Sequence, residues 1–507
     1  MISSRHFNPL WFAPLLVAGA AILGIVPLIL FAISQGGHFA LDARVLHVTR
    51  FTLWQATLST ALSVLPAIPL SRALARRQFW GRELMLSLFA VPQSLPVIVT
   101  VLGIISIYGA SGLLGGWFPV YGVAGIVLTH VFFNLPLAAL MMHRALEAIP
   151  PENHRLAMQL GFAEVATFKH LDWPALQPVI PRIAALVFLL CAASFVTVLT
   201  LGGPAATTLE VAIYQSLRAD FDVARAISLS GVQVVLSLTL ILVLGKLAAP
   251  VIVSQRLRVP SERHDGQSII ARMTDVTMLV LAGLLLLPPL ASMLVSGLSH
   301  FTFSGLLLQA FATSLIIAIF SAMITLLLAW SLARLQNNGG ISGKVATAAA
   351  FTGLILPPAV MATGWYLAVR VLPGDVRLAA TLVICLNALM ALPFATSVLA
   401  TGFAALGGTH EKLCQSLGLS GLDRLRVIDI PALKPVISQA ALLAFAMSFG
   451  DLTAVTLLGT QGLVTLPSLV AEQMGHFQSR EAGGTALLLA ALCLAASWMA
   501  QRAGRQI

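Results

Sequence analysis

Asp451 stands in the run Ser448-Phe-Gly-Asp-Leu-Thr-Ala-Val455, and an acid in so apolar a stretch is costly unless it binds something or is paired. Read as function, it lines a pathway for a cationic solute. Ser194, at the matching place in an earlier run, and Asn134 and Asn387, beside Leu-Pro steps, join it as candidates. The alternative for Asp451 is a paired or protonated carboxyl that stabilises helix packing. For Asn134, Asn387 and His130 it is hydrogen bonding between helices.

Other chemistries find no foothold. Cys191, Cys385, Cys414 and Cys493 have no metal-type or redox spacing. No His/Glu cluster has ligand spacing, and no Ser or Cys sits beside a base by motif, so the chain is not expected to be an enzyme. The phosphate-binding pattern GxxxxGK[ST] is absent, so any ATP chemistry has to come from another chain.

The most distinctive residues are polar. Pro150–Pro174, PPENHRLAMQLGFAEVATFKHLDWP, is an island between apolar runs, and Thr409–Pro431, THEKLCQSLGLSGLDRLRVIDIP, repeats its framework. Gly161 matches Gly418, Pro174 matches Pro431, and Leu156, Ala157 and Leu160 match Leu413, Cys414 and Leu417. Pro151 suits the opening position of a helix and Glu152 its first turn. Positions 156, 157 and 160 form one narrow apolar face, and Gly161 is placed for a left-handed cap. Ser420 to Asp423 reads as the capping-box start of a second short helix. A helix this short needs a surface to bury its stripe, and that surface can belong to a partner.

The elements that must position these islands are membrane spans. The chain has 507 residues, 58% hydrophobic and 9% charged, with mean hydropathy +0.94, against about 25% charge in soluble domains. The net charge of +10 is scattered over short loops, which argues against nucleic acid. Twelve spans are predicted, near 10–33, 52–75, 84–110, 120–142, 179–201 and 227–250, then 274–297, 310–333, 346–371, 377–401, 437–459 and 483–501. The first is too long for a signal h-region and is read as retained. Prolines at 27, 66, 69, 92, 96, 136, 288, 289, 357, 358 and 393 are expected to kink spans.

The second half repeats the first. His38-Phe39 matches His300-Phe301, Leu74-Ala75-Arg76 matches Leu332-Ala333-Arg334, Pro96 and Gly103 match Pro357 and Gly364, and Leu135-Pro136 matches Leu392-Pro393. Ordered landmarks at nearly one offset imply an internal duplication. The fold expected is an all-α membrane protein of two pseudo-symmetric six-span halves. Unit 1–252 carries the loop 150–178, residues 253–271 are the linker, and unit 272–507 carries the loop 407–435. Six spans return the chain to its starting side, so the halves share one orientation. With both termini inside, roughly 22 of the basic residues fall on the cytoplasmic side, and both islands fall there with them.

The islands resemble the EAA loop of binding-protein-dependent ABC importer permeases. That pattern has Glu-Ala-Ala, three residues, Gly, an apolar residue seven further on and Pro thirteen after the Gly. Here the latter positions are Gly161, Phe168 and Pro174, then Gly418, Leu425 and Pro431; the first reads Arg155-Leu156-Ala157 and Lys412-Leu413-Cys414, with Glu152 and Glu411 nearby. The whole duplicated unit looks like the fused permeases of the ferric-iron and thiamine branch. The segments Ser194 to Leu201-Gly202-Gly203 and Asp451 to Leu458-Gly459, each followed by Thr-Leu, also match each other.

The resemblance implies an inner-membrane permease that binds no cofactor itself and works with two ATP- and magnesium-using ATPase subunits and an extracytoplasmic solute-binding protein. It implies coupling through Glu152, Arg155, Ala157, Gly161, Phe168 and Pro174 and through Glu411, Lys412, Cys414, Gly418, Leu425 and Pro431. Thiamine or a related cation, ferric iron, polyamines and small anions all stay open as solute. The competing reading, a gradient-driven carrier of two six-span halves, needs a titratable relay, and acids within the spans are almost absent.

Overall fold

The computed structural model describes residues 9–34, 42–110, 112, 114–116, 118–247, 263–369, 375–417, 421–476 and 479–504. His38, Phe39, residues 253–262 of the linker, Gly418 and Ser420 lie outside them. Every regular element described is helical. The first half holds α1 (Phe12–Ser34), α2 (Ala43–Arg76), α3 (Arg82–Ala90), α4 (Val97–Tyr108), α5 (Val123–Glu147), α6 (Pro151–Gln159), α7 (Glu164–Thr167), α8 (Trp173–Leu176), α9 (Ile180–Ala192), α10 (Val196–Leu201), α11 (Leu209–Arg218) and α12 (Val223–Leu247). The second holds α13 (Ile269–Ser299), α14 (Gly305–Asn337), α15 (Gly340–Ala350), α16 (Thr352–Ile355), α17 (Pro358–Val369), α18 (Val376–Ser416), α19 (Gly421–Arg424), α20 (Ile430–Phe449), α21 (Thr453–Leu458), α22 (Leu466–Gly475) and α23 (Ser479–Gly504).

Among the described residues, nine helices are long and apolar enough to cross a bilayer, and two bent helix pairs bring the number to 11 if each is one span. The shorter apolar helix α17 stands where the remaining predicted span was placed. Four of the predicted spans need correction. The span 84–110 is not continuous: it turns by 111° between Ser94 and Val97, where Pro92 and Pro96 interrupt the helical bonds. Its mate, 346–371, breaks at Leu356, before Pro357 and Pro358. The spans 179–201 and 437–459 also break, after Ala192 and Phe449, and resume as the six-residue helices α10 and α21. By contrast Pro27, Pro66, Pro69, Pro136, Pro288, Pro289 and Pro393 lie inside helices that run on through them.

Packing divides the chain into two compact units that do not follow the sequence halves. One comprises 42–211 with 235–295, the other 1–41, 212–234 and 296–507. In the first, α2, α5 and α9 pack together; in the second, their repeat mates α14, α18 and α20 do the same. The likeness extends to single bonds. Leu209 N donates to Thr52 Oγ1 at 3.0 Å, and Leu466 N donates to Ser314 Oγ at 2.8 Å.

The first span of each half is exchanged. Helix α1 packs on α17, with Trp365 Nε1 donating to the Ala20 carbonyl at 3.0 Å. A Cβ at Gly364 would lie 1.7 Å from the Gly24 carbonyl oxygen, so only glycine admits this approach. In the other unit a Cβ at Gly103 would lie 2.7 Å from the carbonyl oxygen of Pro289, on α13. The paired landmarks Gly103 and Gly364 are thus the seats of the exchanged helices.

Candidate functional site: the paired polar islands

In the first island, α6 opens at Pro151, which has no N–H to leave unpaired. Gly161 has φ +70° and closes it as a Schellman cap: its N–H donates to Met158 O at 3.0 Å, and Phe162 N donates to Ala157 O at 2.9 Å. The expected single apolar face splits in two. Ala157 is 5% exposed and turns into the protein, whereas Leu156 and Leu160, one turn apart, are 54% and 63% exposed. Glu152, Arg155 and Pro174 are exposed.

After α7 the chain makes a π-helical turn over Phe168–Asp172, closed by Trp173 N to Phe168 O. Pro174 then sits in the first turn of α8. The Phe168 ring lies under Arg72, with 4.5 Å from its guanidinium carbon to the ring centroid, and is therefore an anchor within this chain.

The second island repeats this geometry. Helix α18 breaks at Gly407, whose φ of +57° lets the chain turn a corner, and its last stretch reaches Ser416. Glu411 and Lys412 lie on that stretch. Cys414, the mate of Ala157, is 2% exposed, and Leu417, the mate of Leu160, is 60% exposed. After α19 a second π-helical turn covers Leu425–Asp429 and is closed by Ile430 N to Leu425 O. Pro431 falls in the first turn of α20. One extra residue in the same helical turn of both islands is a costly feature that a plain loop would not keep twice.

Two acids that the motif reading passed over hold these turns. Asp172 is fully buried and accepts from Arg72 Nε at 2.8 Å and from Arg263 Nη2 at 2.8 and 2.9 Å. Asp429, 2% exposed, accepts from Arg334 Nη1 at 3.0 Å and from Arg424 Nε at 3.4 Å. The signal was present as a shared Asp-x-Pro, in Asp172-Trp-Pro174 and Asp429-Ile-Pro431. Removing one partner of such a buried pair costs about 3–5 kcal/mol, because the other charge is left in low dielectric.

Among the described residues, charge pairs also join the first island, the end of α2, the linker and the start of α13. Arg76 reaches Glu164 at 3.0 Å and Asp265 at 3.1 Å, Arg77 reaches Asp275 at 2.8 Å, and Arg263 binds Asp265 at 3.0 Å. Burial works to raise the Asp265 carboxyl, but hydrogen bonds and charge from Arg263, with Arg76 and Arg72, hold it below the usual carboxylate range. Burial pushes the nearby His154 imidazole below its ordinary value, and the Arg263 charge adds to that.

Of the remaining candidates, Asn134, Asn387, His130 and Asp451 each bond a neighbour. Asn134 Nδ2 donates to Cys191 Sγ at 3.4 Å, joining α5 to α9, and Asn387 Nδ2 donates to Ser448 Oγ at 2.9 Å, joining α18 to α20. His130 Nδ1 lies 3.0 Å from Ser59 Oγ. Asp451 accepts from Thr453 N at 3.2 Å and Ala454 N at 2.8 Å. Ser194 is half-buried at the corresponding break before α10. Among the described residues no three His, Cys, Asp or Glu side chains are grouped to hold a metal ion.

Residues 67–259 and 325–503, one stretch in each half, match the family described as the binding-protein-dependent transport system inner membrane component. The chain belongs to that family. It is a permease subunit of an ABC importer rather than an enzyme, and the two matched stretches agree with the internal duplication. It is 39% identical over 508 residues to the thiamine transport system permease protein ThiP of Brucella melitensis, covering 96% of this chain and 93% of that one. The protein of the same description from Salmonella typhimurium is 40% identical over 514 residues, covering 96% and 95%, and that from Escherichia coli K12 is 42% identical over 475 residues, covering 89% and 88%. The permease lies in a bacterial inner membrane and crosses it many times.

Proposed function

We infer that this permease imports thiamine or a thiamine-like cation, driven by two copies of a separate ATPase subunit and supplied by a solute-binding protein on the outer side. The two islands and both termini face the cytosol. Magnesium-ATP is bound and hydrolysed by the partner, and this chain contributes the pathway and the handles. The sequence units 1–252 and 272–507, joined by 253–271, are the two permease repeats.

The observation that carries this reading is the repeated island: a short helix with one small side chain turned inward, Leu160 or Leu417 turned outward, and a π-helical turn bolted to the spans by a buried Asp–Arg pair. A lever needs that combination, since the outward residues offer apolar grip and the buried pair passes displacement to the spans. Leu156, Leu160 and Leu417 are the gripping residues, with Glu152 and Arg155 on the same short helix in the first island and Glu411 and Lys412 the corresponding sequence positions in the second. Ala157, Cys414, Phe168 and Leu425 seat the lever, and Gly161 shapes it, with Gly418 the matching position outside the described residues. The substrate part of the reading comes from relatives that match along nearly the whole chain.

The deciding experiment reconstitutes the permease with the ATPase and the binding protein and follows labelled thiamine. Uptake that needs ATP and all three components supports the reading. Uptake driven by a proton or sodium gradient without the ATPase refutes it.

A further inference from the structure

Helices α10 and α21 are repeat twins of six residues, each following the break in the fifth span of its half. By helix rise, the 20 residues of α20 carry the chain about 30 Å from the second island to the break before α21. A helix this short has no stability of its own, so its place is set by what holds its ends.

The two twins are held differently. At the N-terminus of α21 the Asp451 carboxyl accepts from Thr453 N and Ala454 N, donors that lack a partner inside the helix. At its C-terminus Arg218 Nη2 donates to the carbonyls of Leu457 at 2.8 Å and Gly459 at 2.9 Å, with its guanidinium 5.6 Å from the Tyr366 ring. A carboxyl at one end and a guanidinium at the other both suit the peptide dipole. Arg218 comes from the first half of the sequence, within the segment 212–234 that packs in the compact unit of the second.

Helix α10 has neither restraint in kind. The residue matching Asp451 is Ser194, and the residue matching Arg218 is Gly475, which has no side chain. Its last carbonyl, of Leu201, accepts instead from the backbone N–H of Gly122 at 2.6 Å.

We propose that Arg218 is a positioning residue for transport, which together with Asp451 clamps α21 at both ends and so holds the broken fifth span of the second half rigid. This rests on the transport function inferred above. Because the clamp belongs to one twin, loss of either end lets α21 shift, and the second loss adds little. The clamp is needed for coupling and not for assembly, so its removal wastes ATP.

The test uses the complete complex in proteoliposomes and reads labelled thiamine uptake beside ATP hydrolysis. Arg218→Gln lowers the thiamine moved per ATP by about tenfold, the shift expected from losing one charged hydrogen bond, with the subunits still copurifying. Arg218→Lys, which keeps one charged donor, recovers part of the loss. Adding Asp451→Asn to Arg218→Gln makes the ratio no worse than the poorer single variant. A ratio equal to the parent's in Arg218→Gln, or fully additive losses, overturns the clamp. Should Arg218→Gln not assemble, Arg218→Lys decides alone: a fall of about threefold in the assembled complex supports the clamp and parity overturns it. A parent complex that takes up thiamine without its ATPase overturns the transport reading itself, whereas an ATP-dependent parent with an indifferent Arg218 overturns only the clamp.

Discussion

Arg72 Nε lies 2.8 Å from Asp172 Oδ2 while the same guanidinium covers the Phe168 ring, so one side chain of a membrane-spanning helix holds both ends of the first π-helical turn. In the second island Arg334 lies 3.0 Å from Asp429 and holds the far end of the turn. In both, a charge pair with a buried carboxylate joins the island to a span.

Asp172→Asn leaves Arg72 and Arg263 facing a neutral group in a buried site. The expected cost is about 3 kcal/mol, read as a lowered unfolding temperature of the detergent-solubilised permease and a weaker yield of bound ATPase subunit. Asp429→Asn acts in the same direction by less, since the Asp429 pairs are longer and their arginines more exposed. Equal stability of Asp172→Asn and the parent would show that the pair is not a structural bolt.

Gly161→Pro removes the N–H that bonds Met158 O and forbids a φ of +70°. The variant is expected to insert normally but to lose ATPase copurification and ATP-driven uptake. Gly161→Asn, which tolerates a left-handed backbone, is expected to keep both. Normal coupling in Gly161→Pro would separate the island from the motor.

Acidification should loosen the tie between the linker and the first island. The His154 imidazole has its pKa lowered from 6.5 in the folded protein, so its contribution is present above that value and is lost as pH falls toward the folded one. Asp265, also lowered from its ordinary 3.8, contributes in the same sense at more acid pH. Thermal unfolding followed from neutral to mildly acid pH should therefore show falling stability, and His154→Gln should flatten the upper part of that slope. Stability that rises on acidification contradicts the assignment.

Gly364→Val would drive a side chain into the backbone of Gly24. The outcome expected is loss of the α1–α17 seat, visible as protease sensitivity near α1 and a strongly destabilised protein. Gly19→Ala on the partner helix α1, where a Cβ meets nothing within 4 Å, serves as the control and should be silent.

Much of this architecture was legible from residue spacing, because apolar runs long enough to span a bilayer and a repeat with one offset leave few alternatives. The Gly161 cap was readable from a glycine set after an amphipathic stretch. Other features were hidden for physical reasons. The prolines at 92 and 96 signalled a kink but not a turn of 111°, and the breaks before α10 and α21 interrupt runs that are apolar enough overall to read as one span each. Asp451 looked like an unsatisfied acid in a continuous span; in the structure the span ends there and the carboxyl caps the next helix. The π-helical turns depend on a backbone bond one residue longer than usual, which side-chain periodicity cannot report. Nor could the exchange of α1 and α13 be read from the sequence, although Gly103 and Gly364 mark where it happens.

The account depends most on the islands facing the cytosol and being covered there by the ATPase. Single cysteines at Leu160 and Leu417, both well exposed, can be probed with a membrane-impermeant maleimide in intact cells and in inside-out vesicles. Labelling confined to inside-out vesicles, and suppressed at both positions when the ATPase subunit is bound, is the predicted result. Labelling from outside intact cells, or labelling indifferent to the ATPase, contradicts it.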